Sequence, residues 1–240
     1  MSSKLDKFSR YVEGLQPVQR LNIARERLER TEGLTHQVIC LTEQRRAYLQ
    51  RIRGLDWRKD RSFETLLVTI VYFEITHVCR IWELPDPVGF SIPTLARLID
   101  SSDVLAIVEA ENAAALKALP EDKRRFASDN IARLKEAIRT ADTIAGSAQF
   151  ERIQNLRNKE AHAILWTSRE KAGHVEIPQH SDTDWIVDQT VELMSTVSSV
   201  ARPTDYDFLG TAQLERETAK RFFDVLSPAL RLASGSSSPA

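Results

Sequence analysis

Ser62-Phe-Glu-Thr-Leu-Leu-Val-Thr-Ile-Val-Tyr-Phe-Glu-Ile-Thr-His-Val-Cys-Arg-Ile-Trp-Glu-Leu84, followed by Pro85-Asp-Pro87, is the most apolar stretch of the chain, and its reading decides the fold class. Its β-branched residues suit a buried strand. It runs well beyond the roughly 4–8 residues of such a strand, and no second stretch offers a strand partner. It therefore reads as a central buried helix over 62–84. Ser62 can cap its start, and the two prolines must end it. Its apolar heart, residues 66–73, is far shorter than the roughly 20 residues of a membrane span.

The flanking sequence repeats the helical pattern. Upstream, Leu21, Ala24 and Leu28, then Leu34, Val38, Leu41, Leu49 and Ile52, recur at helical spacing. They give one long helix or two over 17–53, with Gly33 as the break and Gly54 as the stop. Downstream, Ser91 before Pro93 opens a short helix to about Ile99. Further helices read over 103–119, 121–144, 148–168, 181–200 and 205–232, with Ser181 and Asp184 as a capping pair for the fourth of these. Lys171–Pro178 reads as a loop or small hairpin. Only 8 of 240 residues are glycine, too few for the tight turns of an all-β chain. Neither a dinucleotide-binding nor a Walker-type glycine loop occurs. The expected fold is all-α: an antiparallel helical bundle in a single domain, 1–233, with a disordered low-complexity tail, 234–240.

A net charge of −1 excludes a globally basic nucleic-acid coat, though not a local patch. Cys40 and Cys79 form no C-x-x-C and read as reduced thiols. The first residues lack an apolar signal core. The expected setting is cytoplasmic, away from membranes.

One segment stands apart: Phe150-Glu-Arg-Ile-Gln-Asn-Leu-Arg-Asn-Lys-Glu-Ala-His-Ala-Ile-Leu-Trp166. At about 100° per residue, Phe150, Ile153, Leu156, Ala161, Ile164 and Leu165 share an apolar sector, and Arg157 points into it. A guanidinium there is costly unless it is paired or faces an interface or cleft. Asn158 and His162, at i and i+4, flank the stripe. Ordinary readings stay open at this point. Arg157 could pair with Glu160, Glu151 or a neighbouring helix, His162 could be a half-exposed helix residue, and Asn158 a solvated one.

Arg157-Asn-Lys-Glu-Ala-His162 resembles the R-x4-H signature of HEPN domains (higher eukaryotes and prokaryotes nucleotide-binding), in which a polar residue commonly follows the arginine. Arg80-Ile-Trp-Glu-Leu-Pro-Asp-Pro87 with Ser91-Ile-Pro-Thr-Leu-Ala-Arg-Leu-Ile99 is similar to the AbiU-like branch, named after a phage abortive-infection system. The resemblance implies a metal-independent endoribonuclease without a cofactor, acting on RNA as a toxin or phage-defence effector. It implies a homodimer with a shared active site, and an antitoxin as a neutralising partner. His162 would move protons to or from the RNA 2′-OH and the leaving 5′-oxygen. Arg157 would hold the scissile phosphate. Asn158 would orient His162 or bond the phosphate or sugar. DNA, lacking the attacking hydroxyl, should resist. HEPN domains also include non-catalytic nucleotide- or partner-binding modules, the alternative reading. A purely structural or antitoxin-like helical protein, with Arg157 as a buried pairing residue, is a third.

Secondary candidates follow. Arg45, Arg46, Arg51, Arg53, Arg58 and Lys59, interleaved with Tyr48 and Trp57, read either as an RNA-backbone track or as a solvated helix face. Lys123-Arg-Arg125 reads as a charged first helical turn. Glu74, His77 and Arg80 are polar groups on an apolar helix; they read as support around Arg157 and His162 or as an isolated core network. His174 and His180 have no familiar metal-ligand spacing, so no metal site is expected. Trp82, Trp166 and Trp185 read as core or interface anchors.

Overall fold

The computed structural model describes residues 4–52, 61–117, 129–161, 178–202 and 207–233. Among them the chain is all-α. The helices are α1 (Lys4–Glu13), α2 (Pro17–Ile52), α3 (Arg61–Ile81), α4 (Ile92–Ile99), α5 (Ser102–Lys117), α6 (Asn130–Ala145), α7 (Ala148–Ala161), α8 (His180–Ala201) and α9 (Phe208–Ala233). None of them is long and apolar enough to cross a membrane.

The axis of the fold is α2, about 54 Å long at about 1.5 Å per residue. It packs against α3, α4, α5, α8 and α9. Gly33 does not break it. A glycine costs a helix roughly 1 kcal/mol against alanine, but packing holds both flanks: Leu28, Thr31 and Glu32 before it, Leu34, Thr35 and Val38 after it, are all buried. Buried threonines on this helix find acceptors. The Thr31 hydroxyl donates to the Phe90 carbonyl at 2.5 Å, and Thr35 to the Thr31 carbonyl at 2.8 Å.

The decisive stretch is helical, but α3 is buried on one side only. Ile70, Glu74, Ile75, Val78 and Cys79 face inward, whereas Leu66, Val68, Tyr72 and Phe73 are exposed. The expectation of a central buried helix is thus met on one face and corrected on the other. Trp82, one residue past α3, is a core anchor. It is 1% exposed, its indole N–H donates to Thr190 Oγ1 at 3.0 Å, and its ring lies 6.4 Å from that of Phe150. Trp185 is partly buried against the same core; Trp166 lies outside the described residues. Ser91 caps α4, accepting from the Thr94 amide at 3.3 Å.

Two elements differ from the sequence reading. The N-terminal residues form α1, which brings Phe8, 2% exposed, into the main core. The cap of α8 is Gln179 with Asp182, not Ser181 with Asp184: the Asp182 carboxylate accepts the Gln179 amide at 2.9 Å. Asp184 is turned instead toward arginines of α2. The proposed tail, 234–240, and the 171–177 part of the loop or hairpin lie outside the described residues.

Candidate functional site

The site is built on α7. Phe150 and Ile153 sink into the core, and Leu156 packs against it. Arg152 fixes the roll of the helix. Its Nε donates to Asp182 Oδ2 at 3.0 Å and its Nη2 to Asp182 Oδ1 at 2.6 Å. The same carboxylate caps α8, so one nearly buried aspartate joins α7 to the start of α8. The Arg152 hydrogen bonds, with help from the Gln179 amide, hold the Asp182 carboxyl below the usual carboxylate range.

Five residues on, Arg157 emerges at the rim. Its side chain is 28% exposed, and its Nη1 stands 3.6 Å from Oε1 of Glu83, itself more than half exposed. Its Nε and Nη2 donate to Asn158 Oδ1 at 3.3 and 3.1 Å. An exposed ion pair at that distance contributes about 0–1 kcal/mol, so the guanidinium is held loosely. Cys79 lies behind it. Burial pushes that thiol up to about 12, with the Arg157 charge opposing and the Glu83 charge adding. Among the described side chains, the acid that pairs with Arg157 comes from just beyond α3. Asn158 is exposed. His162 lies outside the described residues.

The remaining candidates separate. Arg45 is not part of an exposed track, which corrects that expectation. It is 1% exposed, donating to Glu74 Oε2 at 2.7 Å, Glu74 Oε1 at 3.2 Å and Asp184 Oδ1 at 2.5 Å. Burial works against its charge, but Glu74 and Asp184 more than offset this and hold its pKa above the ordinary arginine value. Arg46 bonds Asp184 at 2.9 Å, Glu43 at 2.8 Å and Asp188 at 3.3 Å. Arg51 pairs with Asp224 of α9. Arg53, Arg58 and Lys59 lie outside the described residues.

Glu74, His77 and Arg80 make separate contacts, and Glu74 belongs to a core network. Glu74 faces α2, where it additionally accepts from Thr42 Oγ1 at 2.7 Å. His77 Nδ1 lies 2.7 Å from the Phe73 carbonyl, and Arg80 stacks 5.1 Å from the Phe90 ring centre. The reason is angular: at about 100° per residue, all three point at least about 100° around α3 from Cys79. The neighbours of Arg157 on this stretch are Cys79 and Glu83. Of the loop histidines, His174 lies outside the described residues. His180 opens α8, and burial followed by the Arg45 charge lowers its pKa.

The arrangement offers a rim guanidinium with an exposed amide beside it, on a helix clamped at its other end. Comparison with family models, with curated proteins and with solved structures finds no match to this chain.

Proposed function

We propose that this chain is a metal-independent endoribonuclease of the HEPN type, working as a homodimer whose two copies of α7 share one active site. The observation that carries the reading is Arg157: a cation in the apolar sector of α7 that reaches the surface, where among the described residues its carboxylate partner is the exposed Glu83 at 3.6 Å. Asn158 follows Arg157, and His162 completes the spacing.

The chemistry needs no other group. RNA carries its own nucleophile, the 2′-OH. One His162 removes the hydroxyl proton as the 2′-oxygen attacks phosphorus. The P–O5′ bond breaks, and the second copy of His162 gives a proton to the departing oxygen. The products are a 2′,3′-cyclic phosphate and a 5′-OH. The two Arg157 guanidinia, planar and always charged, bind the non-bridging oxygens as charge builds on them. Asn158 positions Arg157 through its Oδ1 and leaves its amide N–H groups for phosphate or sugar. An activity of this kind would serve a toxin or phage-defence effector, restrained by an antitoxin partner until needed.

The test is cleavage of a single-stranded RNA in EDTA by the wild type, Arg157→Ala and His162→Ala. The expected result is a cyclic-phosphate product from the wild type, loss of at least 100-fold in each variant, and no scission of the all-deoxy analogue. Equal cleavage by all three proteins would refute the assignment. Thermal stabilisation by a nucleotide without scission would favour the non-catalytic binding module.

A further inference from the structure

A second group of reactive side chains lies on helices other than α7. His36 and Cys40 sit at i and i+4 on α2, so they rise from one face of that helix. Glu215 of α9 meets them. One donor atom from each residue — an imidazole nitrogen, a thiol sulfur and a carboxylate oxygen — lies within 4.8 Å of the other two. His36 Nε2 stands 3.3 Å from Glu215 Oε1. All three side chains are partly open to solvent.

The geometry points to a zinc-class divalent metal site formed by His36, Cys40 and Glu215, joining α2 to α9. Ligands about 2.0–2.1 Å from a tetrahedral centre stand about 3.3–3.4 Å apart, the spacing already present between His36 and Glu215. Sulfur, at about 2.3 Å from zinc, requires a slightly longer edge, within the span of the cluster. The mixed N, S, O set suits zinc and disfavours magnesium and calcium, which take oxygen ligands. Three protein ligands leave the fourth position to water.

Charge balance is met as well. On binding, the Cys40 sulfur gives its proton to solvent as the S–metal bond forms, and one thiolate with one carboxylate cancels the metal's two charges. The ion would pin the C-terminal helix to the axis of the fold, alongside the Arg216–Glu43 contacts at 3.0 and 3.2 Å. It takes no part in the RNA chemistry proposed for Arg157 and His162, and the two proposals stand or fall separately.

The test uses the full, tag-free chain stripped of metal and then titrated with Zn2+ or Co2+. About one equivalent is expected to survive desalting. Co2+ should give a sulfur-to-metal charge-transfer band together with the visible bands of a tetrahedral ion. A hundredfold excess of Zn2+ over its Kd should raise Tm by about 5 °C or more, and EDTA should reverse the rise. Cys40→Ser keeps a hydroxyl in place of the thiol, and Glu215→Gln keeps the shape of the carboxylate. Each should fold as the wild type does by circular dichroism and bind Zn2+ at least tenfold more weakly. Substoichiometric loading of the wild type, absence of the charge-transfer band, or equal binding by Cys40→Ser would overturn the proposal and leave a His36–Glu215 ion pair only. RNA cleavage by the metal-free chain, measured well below its melting temperature, reads the other proposal independently.

Discussion

Glu74→Ala removes one carboxylate and leaves a guanidinium inside the protein. Glu74 and Arg45 are each 1% exposed. The carboxylate accepts from Arg45 Nε at 2.7 Å, from Arg45 Nη2 at 3.2 Å and from Thr42 Oγ1 at 2.7 Å. After truncation, Arg45 depends on Asp184, a carboxylate one-third exposed and already shared with Arg46. Two unit charges about 4 Å apart attract by about 4 kcal/mol at an effective dielectric of about 20. The Thr42 hydroxyl loses its acceptor as well, at about 1 kcal/mol or more. Desolvation of the two ions offsets part of this in the intact protein, but the variant keeps the cation's share of that cost. The net loss expected for breaking such a pair is about 3–5 kcal/mol, a fall in Tm on the order of 10 °C for a chain of this length.

The assay is urea unfolding followed by circular dichroism, with RNA affinity measured in parallel. The double variant Arg45→Met/Glu74→Leu removes both charges and fills the space with apolar groups. It should lose less stability than Glu74→Ala alone, because no bare ion remains. A cost below about 1 kcal/mol for Glu74→Ala would refute the buried-network reasoning. So would a double variant as damaged as the sum of its singles. A drop in RNA affinity for Arg45→Met with unchanged stability would restore the exposed-track reading of Arg45.

Three further outcomes are expected. Gly33→Ala should stabilise the chain by about 1 kcal/mol, read as a rise in Tm of about 2–4 °C, since Gly33 is helical and exposed and an added Cβ meets nothing within 4 Å; a fall would show that α2 bends there. Asp182→Asn should remove part of the acid sensitivity. The folded carboxyl has a lowered pKa, so its contribution is fully present above the unfolded value of about 3.9 and is lost as pH falls through the folded value. The gap in urea midpoint between wild type and variant should hold above about pH 5 and close below about pH 4; a gap independent of pH would sink the assignment. Glu83→Gln frees Arg157 from its exposed partner, so RNA cleavage should hold or rise, with a stability change under about 1 kcal/mol; a tenfold loss of cleavage would make Glu83 a positioning residue.

Much of the helical layout was legible because it rests on period and punctuation. Leu21 through Ile52 recur at helical spacing, and Ser91 and Pro93 open α4. What the sequence hid belongs to contacts between distant helices. Arg45 looks like a member of a basic run because its counter-ions, Glu74 and Asp184, come from α3 and α8. Gly33 looks like a break because the intrinsic cost of glycine is visible in sequence and the packing that overrides it is not. His36 and Cys40 are spaced to share a helix face, yet Glu215, which turns the pair into a cluster, arrives from the last helix. The exposed side of α3 was missed for the same reason: an apolar run records what a helix can bury, and burial also needs a partner on that side.

That distinction explains Arg157. The stripe of α7 is core-facing through Phe150 and Ile153, where α3 and Trp82 lie against it. α3 ends at Ile81, and Leu84-Pro-Asp-Pro87 cannot continue it. α7 runs on past these contacts, and Arg157, one turn beyond Ile153, has a side chain 28% exposed. Its charge acts on the buried Cys79, and its guanidinium stands 3.6 Å from Glu83. A leucine there would present apolar surface to water, and an arginine buried one turn earlier would need a paired acid. The prolines end α3 and set Glu83, two residues past it, beside that guanidinium, so the cation in the apolar sector meets an exposed carboxylate rather than a buried one.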